Sequence, residues 1–200
     1  MEPGTDRAPA EVGSGGSPVR LLSVATLNPG KGHVTLLQAL ASVPHRDWHL
    51  ACAGNLTRHP ETTTRARALI HALDLDDRVS LLGELDAAAL ADCYRHADLF
   101  VLATRQETYG MAVAEALAHG LPVVSTATGA IPDLVGTDAG ILVPPENTGA
   151  LADALSRMIG DAGLRARLAA GARRAAERLP TWDEAAARLA SALESLETHG

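Results

Sequence analysis

The stretch LFVLATRQETYGMAVAEALAHGLPVV, running from Leu99 to Val124, decides the fold. Leu99 to Leu102 are apolar without alternation, the pattern of a strand buried on both faces. A polar loop follows with Glu107 at its tip, then a helix that opens near Gly110, carries Glu115 and stops at Gly120, then a second buried strand at Val123 and Val124. Strand, loop, helix and strand in this order build a binding crevice at the carboxyl edge of a parallel sheet. The N–H groups of Gly110, Met111 and Ala112 lack helical acceptors and point into that crevice, an arrangement suited to an anion and most often to phosphate. Glu107 and Glu115 flank it with acceptors suited to the hydroxyls of a sugar or ribose. A nucleotide-sugar fits this pattern of charges.

Upstream, residues 1–18 are rich in Gly, Pro, Ser, Ala and charge and are expected to form a disordered tail or linker. A strand from Arg20 to Ala25 leads through a loop with Lys31 and Gly32 into an amphipathic helix bearing Leu36, Leu37 and Leu40. This loop is not a GxxxxGK[ST] phosphate loop, so its residues alone leave Lys31 open between a phosphate cation and a solvated loop lysine. Trp48 to Ala53 reads as the next strand, turning at Gly54-Asn55, and Thr62 to Leu73 as a helix. A third strand spans Arg78 to Gly83, and Asp86 caps a helix that buries Leu90, Cys93 and Tyr94. Downstream, Ser125 to Leu134 reads as a glycine-bearing loop and Gly140 to Pro144 as a last short strand. Such alternation predicts an α/β fold with a Rossmann-like, doubly wound parallel sheet.

The carboxyl third reads as helix. Leu151, Leu155, Met158 and Ile159 mark one stripe, and Leu164, Leu168, Ala172 and Ala175 a second. A capping box at Thr181 to Glu184 opens a final helix with Trp182, Ala185, Leu189, Leu193 and Leu196 on one face. Two hundred residues of net charge −7 suit one globular domain and argue against nucleic acid as a partner, because neutralising phosphates needs a basic stripe. Cys52 and Cys93 give no disulfide framework and are expected to be reduced core residues. No leader pattern and no transmembrane segment are visible, so the expected setting is cytoplasmic, or peripheral to a membrane. His45 and His49 are spaced for a helical metal pair, but Pro44 and the strand pattern place them elsewhere.

Lys31-Gly32, Gly83, Glu107 and Glu115 with Tyr109-Gly110 between them, the run from Ala116 to Val124, Gly129, and Gly140 to Pro144 together resemble a known family. They look like the donor-binding half of retaining glycosyltransferases of the GT-B fold, the group 1 type, and the likeness spans residues 20–197. The resemblance implies that Lys31 meets the donor diphosphate and that Glu107, in the catalytic position, contacts the transferred sugar. It implies that Thr108, Tyr109, Gly110 and Met111 hold sugar and distal phosphate, that Glu115 binds the ribose, and that Leu82 borders the base. Thr26 and Asn55 join this donor-binding set. No cofactor and no metal are implied, since cationic side chains and N–H dipoles would meet the diphosphate charge.

Two departures stand out. The family often carries an arginine in a Gly-Arg-Leu segment, where this sequence has Ala25-Thr26-Leu27, which leaves Arg20, Arg58 and Arg105 as candidate substitutes. GT-B enzymes also close two similar domains over a cleft, and only the second is recognisable here. Pro3-Gly4-Thr5-Asp6 resembles the turn at the domain crossover, so the expected organisation is a linker over 1–18, a nucleotide-sugar-binding domain over 19–180, and a terminal helix over 181–200 that would cross to a missing N-terminal domain. The implied partners are a nucleotide-diphosphate sugar and a separately encoded acceptor-binding half. A non-catalytic nucleotide-sugar or partner-binding module is the alternative, and an epimerase of the same fold fits the motif series less well.

Overall fold

A computed structural model describes residues 4–5, 16–181, 183–184 and 186–187. The elements follow in the order β1 (Val19–Val24), a 3-10 turn at Pro29–Lys31, α1 (His33–Ser42), β2 (Trp48–Ala53), α2 (Pro60–Ala72), β3 (Val79–Gly83) and α3 (Ala87–His96). Then come β4 (Leu99–Leu102), α4 (Met111–Ala118), β5 (Val123–Thr126), α5 (Ile131–Val135), β6 (Gly140–Val143), α6 (Thr148–Gly160) and α7 (Ala162–Ala176).

The six strands form one sheet in the order β3-β2-β1-β4-β5-β6, and every neighbouring pair is parallel. The chain therefore starts in the middle, winds outward to β3, returns to lay β4 beside β1, and winds outward the other way. The doubly wound Rossmann-like topology expected from the sequence is the one observed. Its switch point lies between β1 and β4, the place at whose carboxyl edge sheets of this kind bind their ligands.

Helices on both faces explain the unbroken apolar strands. Side chains alternate between faces along a strand, so Leu21, Leu99 and Val101 join the core packed with α1, α2 and α6, while Leu22, Phe100 and Leu102 join the core shared with α4, α5 and α7. Both stripes of the carboxyl third are buried as expected, Leu155 and Met158 in the first core and Ala172 and Ala175 in the second. Trp48 is fully buried, donates its indole N–H to the His45 carbonyl at 2.9 Å, and carries the Arg78 guanidinium over its ring. His45 thereby serves the core, and His49 lies exposed on β2.

One segment differs in kind from its reading. Ser125 to Leu134 is not all loop: its end forms α5, in which Pro132 occupies the first turn and Ile131 and Val135, four apart, are buried. Proline is well suited to a first turn, where its missing N–H costs no helical bond, so the residue that suggests a loop starts a helix. Element ends otherwise move by a residue or two. Within the segment read as a tail, Thr5 is buried and its N–H donates to the Pro180 carbonyl at 2.8 Å. Residues 6–15 lie outside the described residues, as do Trp182, Ala185, Leu189, Leu193 and Leu196 of the expected final stripe. The capping box itself is formed, with Thr181 N–H donating to Glu184 Oε2 at 2.8 Å and Glu184 N–H to Thr181 Oγ1 at 3.3 Å.

Candidate active site

The loop after β1 is held against the end of β4. Asn28 Oδ1 accepts from the Lys31 N–H at 3.1 Å and caps the 3-10 turn. Gly32 then takes a left-handed conformation (φ 67°), and a Cβ there would overlap the Ala103 carbonyl, so only glycine allows the approach. The Gly30 carbonyl accepts from the Arg105 N–H at 2.8 Å and from Thr104 Oγ1 at 3.1 Å. These contacts, between residues 74 or more apart in sequence, bring the loops after β1 and β4 together at the switch point.

Across that junction Lys31 Nζ lies 2.6 Å from Glu107 Oε2, with side-chain exposures of 27% and 15%. Glu107 Oε1 accepts from the Thr108 N–H at 3.2 Å, so both carboxylate oxygens are engaged. The sequence assigns Lys31 and Glu107 to different parts of a donor, and the fold makes them direct partners. From the other side, Gly129 (φ 54°) packs so closely on Glu107 that a Cβ would overlap its carbonyl. Gly110 (φ 70°) caps α4, whose first N–H groups face the same edge as the sequence predicts.

Glu115 sits one turn into α4 and is half-buried. Tyr94, from α3, donates its hydroxyl to Glu115 Oε2 at 3.0 Å and approaches the Ala112 carbonyl at 3.5 Å. Burial, followed by the Glu115 charge, pushes the Tyr94 phenol above its usual range, which keeps it a donor. Sequence reading placed Tyr94 in the core, where it is, but did not pair it with Glu115. A residue facing a core looks the same in a periodic pattern whether or not its tip reaches a polar partner.

The remaining predicted residues distribute along the carboxyl edge. Thr26 follows β1 and is half-buried. Asn55 follows β2, and its Oδ1 accepts from the N–H groups of Thr57 and Arg58 at 2.9 and 2.6 Å, which shapes the loop there. Among the described residues, the exposed large hydrophobic side chains are Leu82, at the end of β3, and Tyr109, before α4, with exposures of 41% and 50%. Both belong to the predicted donor-binding set. Successive strands are about 4.8 Å apart, so β3 to β4 spans about 14 Å, comparable with an extended nucleotide-sugar.

Of the candidate substitutes for the absent arginine, Arg20 is the second residue of β1 and lies at the amino edge, away from the crevice. It lines a cavity of about 410 Å³ with His49, Ser80, Cys93 and His96, which neither Lys31, Glu107 nor Glu115 reaches. Arg58 and Arg105 follow β2 and β4 at the carboxyl edge, and Arg105 pairs with Glu146 at 2.5 Å. Next to Lys31, His33 is buried, and neither ring nitrogen has a hydrogen-bond partner among the described residues. Burial and then the Lys31 charge lower its pKa to about 4, leaving a neutral imidazole. Among the described residues no cluster of three or more His, Cys, Asp or Glu is placed to hold a metal ion, and no helix is long and apolar enough to cross a membrane.

A parallel sheet of this order, with a lysine–carboxylate pair, a helix N-terminus and a second carboxylate around its switch point, is a Rossmann-like half of a GT-B glycosyltransferase fold. The sequence profile of the glycosyl transferases group 1 family matches residues 5–175, and the chain belongs to that family. It is 39% identical over 160 residues to a D-inositol 3-phosphate glycosyltransferase of Xylanimonas cellulosilytica, covering 80% of this chain and 38% of that relative. Among solved structures, sucrose-phosphate synthase from Thermosynechococcus elongatus superposes with a TM-score of 0.83 at 28% identity, over 92% of this chain and 46% of that one. Anabaena HepE in complex with UDP and glucose superposes with a TM-score of 0.82 at 25% identity, over 91% of this chain and 50% of that one. The chain thus spans half the length of these relatives, or less.

Proposed function

We propose that the chain is the donor-binding half of a retaining glycosyltransferase that takes a sugar from a nucleoside-diphosphate donor, with UDP as the nucleotide to test first. The observation that carries this reading is the junction of Lys31, Glu107 and the start of α4 at the β1/β4 switch point. HepE, at 26% identity, is solved in complex with UDP-glucose, which favours UDP. Lys31 meets the diphosphate, which competes with Glu107 for its ammonium, and the N–H groups opening α4 take the distal phosphate. Glu107, released from Lys31, accepts from hydroxyls of the transferred sugar. Glu115 accepts from the ribose, Leu82 borders the base, and Thr26, Thr108, Tyr109, Gly110 and Met111 line the path between. This charge balance needs no metal, and the setting is cytoplasmic or peripheral to a membrane.

The domain plan follows from the same reading. Residues 19–180 form the donor domain, and the segments that flank it, 1–18 and 181–200, join it to an acceptor-binding half supplied by another domain or chain. The Thr5 to Pro180 hydrogen bond supports it, because segments flanking the domain then leave from one place. Calorimetry with UDP on the full chain tests the reading. Binding that is weakened in both Lys31→Ala and Glu115→Gln is expected, and an absence of heat with UDP, GDP and ADP at millimolar concentration would overturn it. Nucleotide binding without sugar transfer in any mixture with an acceptor half would instead favour a non-catalytic module.

A further inference from the structure

Tyr94 lies on α3 and belongs to none of the loops that form the crevice, yet its hydroxyl is within 3.0 Å of a carboxylate that faces it. Its ring is buried and packed against two others. Phe100 of β4 lies at a centroid distance of 6.1 Å and 24° from parallel, and His119, just after α4, stacks at 4.8 Å and 8°. A tyrosine held this way has no rotamer freedom to lose when it forms a hydrogen bond, so its hydroxyl is a pre-oriented donor.

The bond is made to Oε2 of Glu115. A glutamate on a half-buried helix face has several rotamers, and a carboxylate that must accept from a ribose diol has to present one oxygen in a fixed direction. Donation to Oε2 selects one rotamer and leaves Oε1 for the ligand. The weaker approach of the same hydroxyl to the Ala112 carbonyl, at 3.5 Å, ties that selection to the first turn of α4, whose N–H groups are the proposed phosphate site.

We infer that Tyr94 is a positioning residue for nucleotide recognition: its hydroxyl sets the Glu115 carboxylate for the two ribose hydroxyls and makes the site selective for a ribonucleotide. The inference rests on the proposed role of Glu115 and adds to it a residue outside the crevice.

The test is calorimetry on the full chain with UDP and with 2′,3′-dideoxy-UDP, comparing wild type, Tyr94→Phe, Glu115→Gln and the double variant. Phe keeps the stacked ring and removes only the hydroxyl. The expected result is that Tyr94→Phe weakens UDP by roughly five- to thirtyfold, while wild type and Tyr94→Phe bind the dideoxy nucleotide equally. The double variant should bind UDP no worse than Glu115→Gln alone, since both substitutions disable one interaction. Tyr94→Phe binding UDP like wild type while Glu115→Gln loses affinity would overturn the positioning role and leave the ribose role of Glu115 intact. Equal losses for both nucleotides, with a lowered Tm, would make Tyr94 a packing residue and overturn it too. If wild type binds UDP and Glu115→Gln has no effect, the reading of Glu115 fails, and the inference fails with it.

Discussion

The Lys31 and Glu107 side chains hold each other at 2.6 Å, so removing one leaves the other partly buried without its counter-charge. Lys31→Ala should therefore weaken UDP by more than a surface lysine would, and the wild-type affinity should fall as salt rises while that of the variant changes little, a difference that calorimetry at two ionic strengths reads directly. Glu115→Gln removes a charged acceptor worth about 1.5–3 kcal/mol, a loss of roughly tenfold to a hundredfold in nucleotide affinity. His33 gives a pH dependence of stability. Its folded pKa of about 4 lies below the ordinary 6.5, so as pH falls the unfolded chain takes up the proton first and unfolding is favoured. The effect is absent above pH 7, grows between 6.5 and about 4, and is complete below that, amounting to at most about 3 kcal/mol. Urea titrations at pH 7.5 and 4.5 should show His33→Leu losing less stability than wild type over that interval, and equal losses would remove His33 from the account.

Among the elements, the loop after β5 depends on one backbone approach. Gly129 combines a φ of 54° with contact against the Glu107 carbonyl, so Gly129→Ala must displace one loop or the other. The expected cost is about 1–3 kcal/mol in stability together with weakened UDP binding, measured by thermal melts and calorimetry; a variant with wild-type Tm and affinity would show that the contact yields freely. That glycine, with Gly32, Gly110 and Gly120, is also why the sheet was legible. Glycines at strand ends and unbroken apolar runs such as Leu99 to Leu102 are local signals, and local signals are what a sequence carries. The α5 helix was missed because Pro132 gives the same signal in a turn and in a first helical turn. The pairs Lys31–Glu107 and Tyr94–Glu115 were missed for another reason: their partners are 76 and 21 residues apart, and chain spacing does not say which way two side chains point once their elements are packed. Asn55 was legible as a turn, and its side-chain oxygen holds that turn through the N–H groups of Thr57 and Arg58.

At the scale of the whole molecule, the chain spans 38% of the D-inositol 3-phosphate glycosyltransferase and 46% of the sucrose-phosphate synthase that it matches, so more than half of either has no counterpart in it. Tyr109, half exposed, borders a cavity of about 140 Å³ that Thr5 and Pro180 also line, so the proposed sugar loop adjoins the place where the flanking segments leave the domain. A neighbouring domain anchored there would stand beside Tyr109. Aligning two substrates and avoiding solvent reorganisation can supply about 7–11 kcal/mol of a rate acceleration, and in the proposed reading both need the acceptor-binding half. The chain alone should consequently bind UDP yet release UDP from UDP-glucose no faster than buffer does. Mixed with an acceptor half that recognises its flanking segments, it should turn over at a rate nearer the ~10 s⁻¹ usual for enzymes. A coupled assay for UDP release distinguishes these states, and the increase should disappear with Glu107→Gln. Turnover by the chain alone at the rate of the mixture would show that one wall suffices and would overturn the division of labour proposed for the two halves.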